Sequence, residues 1–277
     1  MTVSPSSSKA LTWPITTSVI FPAGTMIQTL RGLSLIHISA NVDGVLAGWS
    51  SGVHLDDTGT AQAGALAERL RAVPLTHVVA SPLERTLQTA RPIAKGRGLK
   101  ISRDRRLGEC DYGDWTGRKL QKLAKDPLWP RVQAHPSAMV FPGGESMLQA
   151  QTRSVLACRE WAGKSHDVAG DMAVLAVVSH GDIIKSILAD ALGMHLDAFQ
   201  RIVVDPGSVS VIRYTALRPF VERTNDTGTD LSYLAPKPPA GHKSKKSTQR
   251  KGARSATPSA NSDAAIGGGV GSGGRHG

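Results

Sequence analysis

The sequence has few of the residues that stabilise small secreted proteins or span membranes. Its 277 residues include only two cysteines, Cys110 and Cys158. This excludes a scaffold held by several disulfides and a zinc site of four thiolates. No apolar run approaches the roughly 18 residues that a membrane-spanning helix needs. Aromatic residues make up 4% of the chain, so aliphatic residues and alanine must build most of the core.

An apolar export signal is also missing. No charged residue lies between Lys9 and Arg31, but Pro14 and Pro22 interrupt this stretch, and hydroxyl side chains are scattered through it. A continuous apolar segment of about 7–15 residues, which an export signal needs, therefore does not form. We predict a cytoplasmic protein with no membrane partner. Residues 1–32 are predicted to be poorly structured or foreign to the domain that follows.

The positive charge of the chain is concentrated at its carboxyl end. Of the net charge of +11, residues 236–277 carry +7, from five Lys and three Arg against one Asp. Because this stretch is rich in Gly, Ser and Pro, burial cannot offset the entropy of ordering it. We predict a disordered basic tail over residues 224–277. It is either an arm for weak binding of an anionic partner or a solubilising terminus, and the lack of aromatic residues among the charges favours the terminus.

The middle of the chain, residues 33–223, alternates between short apolar runs and amphipathic segments, which predicts strands that alternate with helices. The pattern predicts a layered α/β fold with a mostly parallel central sheet. The predicted strands are Ser34–Ser39, His77–Ala80, Met172–Ser179 and Val209–Tyr214. The predicted helices are Thr58–Arg71, Leu83–Gly96, Ser146–Trp161 and Asp182–Leu192.

The same pattern makes predictions about caps and buried faces. Asp57 or Thr58 is predicted to cap the first helix, and Ser146 the third. The residues predicted to face the core are Ala61, Ala65, Leu66 and Leu70 in the first helix and Leu148, Val155 and Leu156 in the third.

Polar side chains follow three of the predicted strands, where an open α/β sheet binds its ligand. His37, Arg85 and His180 lie at these strand ends, and Glu109 lies in a glycine-containing segment, Leu107–Gly117. Arginine binds phosphate oxygens with two parallel hydrogen bonds, and histidine can be a neutral nucleophile or a charged donor. A glutamate can protonate a leaving oxygen and then deprotonate water. The set therefore favours phosphoryl transfer, and since no residues show metal-ligand spacing, we predict no metal.

Five segments together resemble the histidine phosphatase superfamily, which is also called phosphoglycerate-mutase-like. The resemblance covers roughly residues 40–215, with the segments in the family's order. They are Leu55–Gly59 with the following Gln62-Ala63, Ser81–Ala90 (SPLERTLQTA), Leu107–Gly117 (LGECDYGDWTG), Phe141–Ser146 (FPGGES) and Val177–Gly181 (VVSHG).

The resemblance implies a role for each matching residue. Arg85 and Asn41 would bind the phosphate, Glu109 would be the proton donor, and His180 would hydrogen-bond the phosphoryl group. The implied fold is a three-layer α/β/α sandwich with a mostly parallel central sheet. The implied reaction runs through a phosphohistidine on a small phosphorylated substrate, without a metal or an organic cofactor.

The chain departs from the family where the nucleophile should be, because it contains no Arg-His-Gly. Counting back from Asn41 without gaps places the nucleophile on Leu35. His37 lies two residues further on, on the same face of a strand but about 6–7 Å along it. A third alignment places Arg31-Gly32 on the motif, with Arg31 as a phosphate ligand and no histidine. Alternatively, residues 1–39 are not the native start of the domain.

Two functional hypotheses follow. The first is a phosphomonoester hydrolase in which His37 attacks phosphorus, with Glu109 and His180 as catalytic partners. The second is a phosphate-binding pseudo-enzyme, because the residues around the nucleophile are lost. The oligomeric state and the choice between phosphatase and mutase stay open at this stage.

Overall fold

The structure is a computed structural model, and it describes residues 27–31 and 44–228. One sheet and six α-helices make up most of these residues. The strands are β1 (Ile27–Arg31), β2 (His77–Ala80), β3 (Ile101–Arg103), β4 (Val174–Val178), β5 (Val209–Thr215) and β6 (Pro219–Asp226). The helices are α1 (Asp57–Arg69), α2 (Glu84–Ala94), α3 (Leu120–Leu123), α4 (Trp129–Ala134), α5 (Met147–Ala169) and α6 (Gly181–Ala191).

The sheet has the strand order β3-β2-β4-β1-β5-β6. The first four strands in this order are parallel to one another, and β5 and β6 continue the sheet antiparallel. Each of β2 and β4 leads directly into a helix, α2 and α6 respectively. This is the connection that a parallel sheet needs, and it directs the starts of both helices to the carboxyl edge of the strands.

Helices cover both faces of the sheet. Val78 and Ala80 of β2 pack on one face with apolar residues of α1 and α2. Val79 of β2, together with Leu175 and Val177 of β4, packs on the other face with α5 and α6. All five residues of β4 are buried, as its uninterrupted apolar sequence predicts for a central strand. The predicted three-layer α/β/α fold with a mostly parallel sheet is confirmed.

Most predicted elements occur within one to three residues of their predicted bounds. The strand at His77–Ala80 and the cap at Ser146 are confirmed, since the Ser146 side chain accepts a hydrogen bond from the Gln149 backbone. The third predicted helix continues to Ala169, eight residues beyond Trp161. No helix in the described part of the chain is long and apolar enough to cross a membrane.

Two predictions about helix caps and faces are wrong. Asp56 caps α1, because its carboxylate accepts the Gly59 N–H at 2.6 Å. The buried stripe of α1 is Gly59, Ala63 and Leu66. Of the predicted core residues, Leu66 is confirmed and Leu70 packs against the core, whereas Ala61 and Ala65 are exposed. In α5 the buried stripe begins at Met147 and continues through Ala150 and Ser154, so Leu148 and Leu156 face outwards although Val155 is buried.

The two ends of the domain also differ from the prediction. A strand forms at Ile27–Arg31, inside the segment predicted to lack structure, because β4 and β5 hydrogen-bond to it on both sides. The predicted strand Ser34–Ser39 lies outside the described residues. At the other end β6, which was not predicted, pairs with β5 and ends at Asp226. The predicted tail therefore begins too early at residue 224, and residues 229–277 lie outside the described part.

Candidate active site

Three neighbouring strands end in register and bring the predicted site residues to one edge of the sheet. Ala80, the last residue of β2, pairs with the last residue of β3 on one side and of β4 on the other. Arg85 lies in the first turn of α2, His180 immediately precedes α6, and Glu109 lies six residues beyond β3. Their meeting is therefore a consequence of strand register, which sequence spacing alone does not show.

Arg85 has the properties of a ligand-binding arginine. Its side chain is buried, and its Nη2 donates to the backbone oxygen of Gly48 at 3.0 Å. Its Nη1 is also buried and has no hydrogen-bond partner among the described residues. Burial lowers the pKa of the guanidinium and the nearby Glu109 carboxylate opposes this, but arginine stays protonated in proteins. A buried, charged donor without a partner is costly unless it binds an anion.

Glu109 and His180 are buried against each other. The Glu109 Oε2 and the His180 Nδ1 are 4.0 Å apart. Burial raises the pKa of Glu109 to about 7, and the negative charge of Asp182 adds to this effect against the pull of Arg85. Burial also lowers the pKa of His180 well below its usual value, and Arg85 and Arg153 act in the same direction. Near neutral pH the site therefore holds a neutral imidazole beside a glutamate that can carry a proton.

Two hydroxyl contacts fix groups around this pair. The Ser81 Oγ is 2.8 Å from the His180 Nε2, which joins the ends of β2 and β4. The Tyr112 hydroxyl donates to the Asp182 Oδ2 at 3.0 Å. The side chains of Tyr112 and Asp182 are both buried. Asp182 is thereby held in the first turn of α6, next to the candidate site.

The Glu109 loop, residues 104–117, is held by side chains from distant segments. Arg153 of α5 donates to the backbone oxygens of Arg106, Gly108 and Glu109 at 2.7–2.9 Å and pairs with Glu145. The Ser179 hydroxyl donates to the Leu107 oxygen at 2.7 Å. These contacts position the backbone on either side of the proton-donor candidate.

The FPGGES segment packs directly on the Glu109 loop. The Asp111 N–H donates to the Glu145 carboxylate at 2.9 Å, and the Glu145 N–H donates to the Asp111 oxygen at 3.0 Å. A Cβ at Gly144 would lie 2.2 Å from the Asp111 oxygen, so only glycine fits there. The two motifs are 34 residues apart in sequence, and this contact explains why both contain glycines.

The other predicted site residues are not brought to this edge by the described structure. His37 and Asn41 lie outside the described residues. Arg31 is the last residue of β1, and its neighbour Leu30 pairs with Leu175 of β4. The strand β4 continues beyond this pair to Val178. The Arg31 backbone is thus about four residues, or roughly 13 Å, short of the level of His180.

Sequence reasoning missed Ser81, Ser179, Arg153 and Asp182 as supporting residues. The two serines had a signal, since each follows the last residue of a buried strand. Arg153 had no such signal, because the three backbone oxygens that it binds are at least 44 residues away in sequence. Within residues 27–31 and 44–228, no group of three or more His, Cys, Asp or Glu side chains could hold a metal ion.

Comparison with known proteins agrees with this geometry. The family model of the histidine phosphatase superfamily (branch 1) matches residues 37–227, which is more than half of the chain. This chain belongs to the histidine phosphatase superfamily, as its motifs predicted.

Individual relatives cover most of the folded part. Phosphoserine phosphatase 1 of Hydrogenobacter thermophilus is 31% identical over 175 residues, 62% of this chain and 81% of that protein. A Cronobacter sakazakii protein named "Probable phosphoglycerate mutase GpmB" is 31% identical over 166 residues, 58% of this chain and 73% of that protein. The solved structure of Bacillus stearothermophilus YhfR has a TM-score of 0.66 at 26% identity and covers 72% of this chain and 96% of that chain.

Proposed function

We propose that this chain is a phosphomonoester hydrolase that acts through a phosphohistidine on small phosphorylated substrates, in the cytoplasm. The observation that carries the proposal is the Arg85 guanidinium. It is buried beside Glu109 and His180, with one nitrogen bound to Gly48 and the other without a partner among the described residues. A phosphoryl group supplies the negative oxygens that such a nitrogen needs. A relative named a phosphatase supports the reaction class.

The roles follow from the charge states. Arg85 holds the non-bridging oxygens of the phosphoryl group, and neutral His180 hydrogen-bonds the same group. His37 attacks phosphorus, the phosphorus–oxygen bond to the alcohol breaks, and Glu109 gives its proton to the leaving oxygen. The Glu109 carboxylate then takes a proton from a water molecule that attacks the phosphohistidine, which releases phosphate and restores both groups. The raised pKa of Glu109 supports its role as the proton donor near neutral pH.

A phosphate-binding pseudo-enzyme is the second candidate, and a specific observation favours it. The chain lacks Arg-His-Gly, and the ungapped count back from Asn41 places Leu35 at the position of the nucleophile. Leucine can neither attack phosphorus nor donate a hydrogen bond to a phosphoryl oxygen.

One experiment on the full chain distinguishes these candidates. Binding of orthophosphate is measured by calorimetry, and hydrolysis of p-nitrophenyl phosphate is measured in the presence of a chelator. Arg85→Gln should abolish orthophosphate binding. Arg91→Gln, which removes an exposed arginine from the same helix, should not.

The possible results distinguish the enzyme from the pseudo-enzyme. Hydrolysis that His37→Ala abolishes, with a phosphoenzyme that maps to His37 after a quench without acid, supports the enzyme. Binding without hydrolysis supports the pseudo-enzyme, provided that the combined change Ser34→Arg, Leu35→His and Ile36→Gly restores turnover. A wild-type chain that binds no orthophosphate contradicts both candidates.

A further inference from the structure

The contact between Ser81 and His180 bears on where the imidazole carries its proton. The Ser81 Oγ is 2.8 Å from the His180 Nε2, and both side chains are buried. In a neutral imidazole one nitrogen donates a hydrogen bond and the other accepts one. The hydrogen bond at one nitrogen therefore decides which tautomer is present. If the hydroxyl donates to Nε2, the proton of the ring is on Nδ1.

The surroundings of Ser81 fix the direction of this hydrogen bond. Its Oγ already accepts a hydrogen bond from the Leu83 N–H at 3.4 Å. Within the described part of the chain, the Nε2 of His180 is the only acceptor that the hydroxyl hydrogen can reach. A buried hydroxyl that donates to nothing is costly, whereas its oxygen is satisfied by Leu83. The hydroxyl therefore donates to Nε2.

The charges around His180 agree with this direction. A charged imidazolium would donate from both nitrogens, and the Ser81 oxygen would then have to accept. Burial lowers the pKa of His180 well below its usual value, and the positive charges of Arg85 and Arg153 act in the same direction. Near neutral pH the ring is consequently neutral, and its single proton is on Nδ1.

The Nδ1–H is left without an acceptor on the side of the candidate site. The Glu109 Oε2 is 4.0 Å away, which is too long for a hydrogen bond, and Nδ1 has no other acceptor among residues 44–228. The Nη1 of Arg85 is a second buried donor that no described residue satisfies. A phosphoryl group has several negative oxygens and accepts from both donors. The other tautomer of His180 would direct a lone pair at these oxygens.

We infer that Ser81 is a positioning residue, which donates to Nε2 of His180 and thereby holds the Nδ1–H towards the phosphoryl group. The inference rests on the proposed function for the identity of the ligand. It adds to that function the nitrogen of His180 that binds the phosphoryl group and the residue that sets its protonation. Because only molecules with the proton on Nδ1 bind well, the Kd of orthophosphate should vary as the inverse of their fraction.

Nitrogen NMR of the full chain, labelled with ¹⁵N in its histidines, tests the inference near neutral pH. The ¹⁵N shifts of the ring distinguish N–H from bare nitrogen, and the signals that disappear in His180→Gln belong to His180. In the wild-type chain His180 should carry its proton on Nδ1. In Ser81→Ala the fraction with this tautomer should fall. The Kd of orthophosphate, measured by calorimetry, should rise by the matching factor of roughly 2 to 10, the value of one hydrogen bond.

Thr86→Val is the matched control. The Thr86 hydroxyl is buried in the same turn, and it donates to the backbone oxygens of Ser81 and Leu83 at 2.9 and 2.7 Å. The substitution removes a buried hydroxyl that does not contact His180. Thr86→Val should therefore keep both the tautomer of His180 and the Kd of orthophosphate.

The failures of the two proposals are distinguishable. A wild-type His180 with its proton on Nε2, or with protons on both nitrogens, overturns the role of Ser81, and orthophosphate binding then still supports the proposed function. A Ser81→Ala chain in which the tautomer or the Kd stays as in the wild type also overturns this role. So does an equal change in Thr86→Val, because the effect then comes from packing of the turn. A wild-type chain that binds no orthophosphate overturns the proposed function and this inference with it, whatever the tautomer of His180.

Discussion

The candidate catalytic groups are positioned in two different ways. Arg85 and His180 follow strands that end in register, and each lies at the start of a helix of 11 residues. Glu109 lies instead on the Glu109 loop, whose only regular elements are two short 3-10 turns. The sheet places the first two groups, whereas side chains from distant segments place the third.

The contacts that hold Arg85 and His180 therefore differ from the contacts that hold Glu109. The sheet and the helices α2 and α6 have their own backbone hydrogen bonds, although Leu107 and Tyr112 of the Glu109 loop pack in the core that contains α6. The loop depends on Arg153, Ser179 and the FPGGES segment, which supply hydrogen bonds that its own backbone does not make. Substitutions in these anchors should therefore disturb Glu109 more than Arg85 or His180.

The largest effect is expected where the FPGGES segment meets the loop. In Gly144→Ala the new methyl group would lie 2.2 Å from the Asp111 oxygen and 2.7 Å from the Gly113 nitrogen, both backbone atoms. The two segments must separate, so we expect a loss of about 4 kcal/mol in the free energy of unfolding, measured in urea.

The matched control is Gly163→Ala in α5. A Cβ at Gly163 would meet no atom within 4 Å, and alanine favours a helix over glycine. This variant should be as stable as the wild type or more stable by about 0.5–1 kcal/mol. Equal losses in the two variants would show that the contact between the segments is unimportant.

Arg153→Ala should have the next largest effect. It leaves Glu145 without its ion pair and removes the donors to three backbone oxygens of the loop. Because the site is mostly buried, we expect a loss of about 3 kcal/mol. Arg159→Ala on the same helix breaks an exposed pair with Asp190 and should cost about 0.5 kcal/mol. Similar losses would mean that the buried network adds nothing.

The same division explains what could be predicted from the sequence. The β4 strand and the following His180-Gly181 combine an apolar run with a helix start, so the pattern within a dozen residues predicts their structure. Arg85 follows β2 in the same way. The meeting of these groups with Glu109 was predicted through the family resemblance, because a loop without periodicity has no local signal.

Other features depend on contacts that are distant in sequence. The strand β1 was missed because Ile27–Arg31 does not alternate cleanly, and its structure comes from pairing with β4 and β5. The edge strand β6 was missed because all of its residues are exposed or half-buried. Leu148 and Leu156 were predicted to face the core because they are apolar. They face outwards, since the buried stripe of α5 contains Met147 and Ala150.

The pH dependence of stability should report the burial of Glu109. Its pKa rises from the usual 4.5 to about 7, so the folded chain binds this proton more tightly than the unfolded chain. The resulting stability is complete below about pH 4.5 and is lost as the pH rises through about 7. At pH 8 Glu109→Gln should therefore be more stable than the wild type by on the order of 2 kcal/mol, with no such gain at pH 4.5.

The wild type and Glu109→Gln are compared at each pH. Urea unfolding at several pH values gives the difference directly. Glu68→Gln replaces an exposed glutamate of α1 and should show no comparable pH dependence. A difference between wild type and Glu109→Gln that is the same at pH 4.5 and pH 8 would contradict the raised pKa.

The smallest effects on stability are expected at Ser81 and Ser179. These two serines distinguish groups positioned by the sheet from groups positioned by distant side chains. Ser179→Ala leaves the buried Leu107 oxygen without its donor and should cost about 1 kcal/mol. Amide hydrogen exchange should then increase within the Glu109 loop. Ser81→Ala removes the partner of His180 at a similar cost, but it should leave exchange in the loop unchanged.

Ser154→Ala is the control for both serines. Among the described residues its buried hydroxyl bonds only to the Gln151 oxygen of its own helix, so alanine should be tolerated or slightly stabilising. If Ser81→Ala and Ser179→Ala both increase exchange in the Glu109 loop, the loop and the strand ends form one cooperative unit. The separation between sheet-positioned and side-chain-positioned groups would then be wrong. If only Ser179→Ala increases amide exchange in the Glu109 loop, the residues at the end of β4 have two roles. They position His180, and through Ser179 they also hold the loop that contains Glu109.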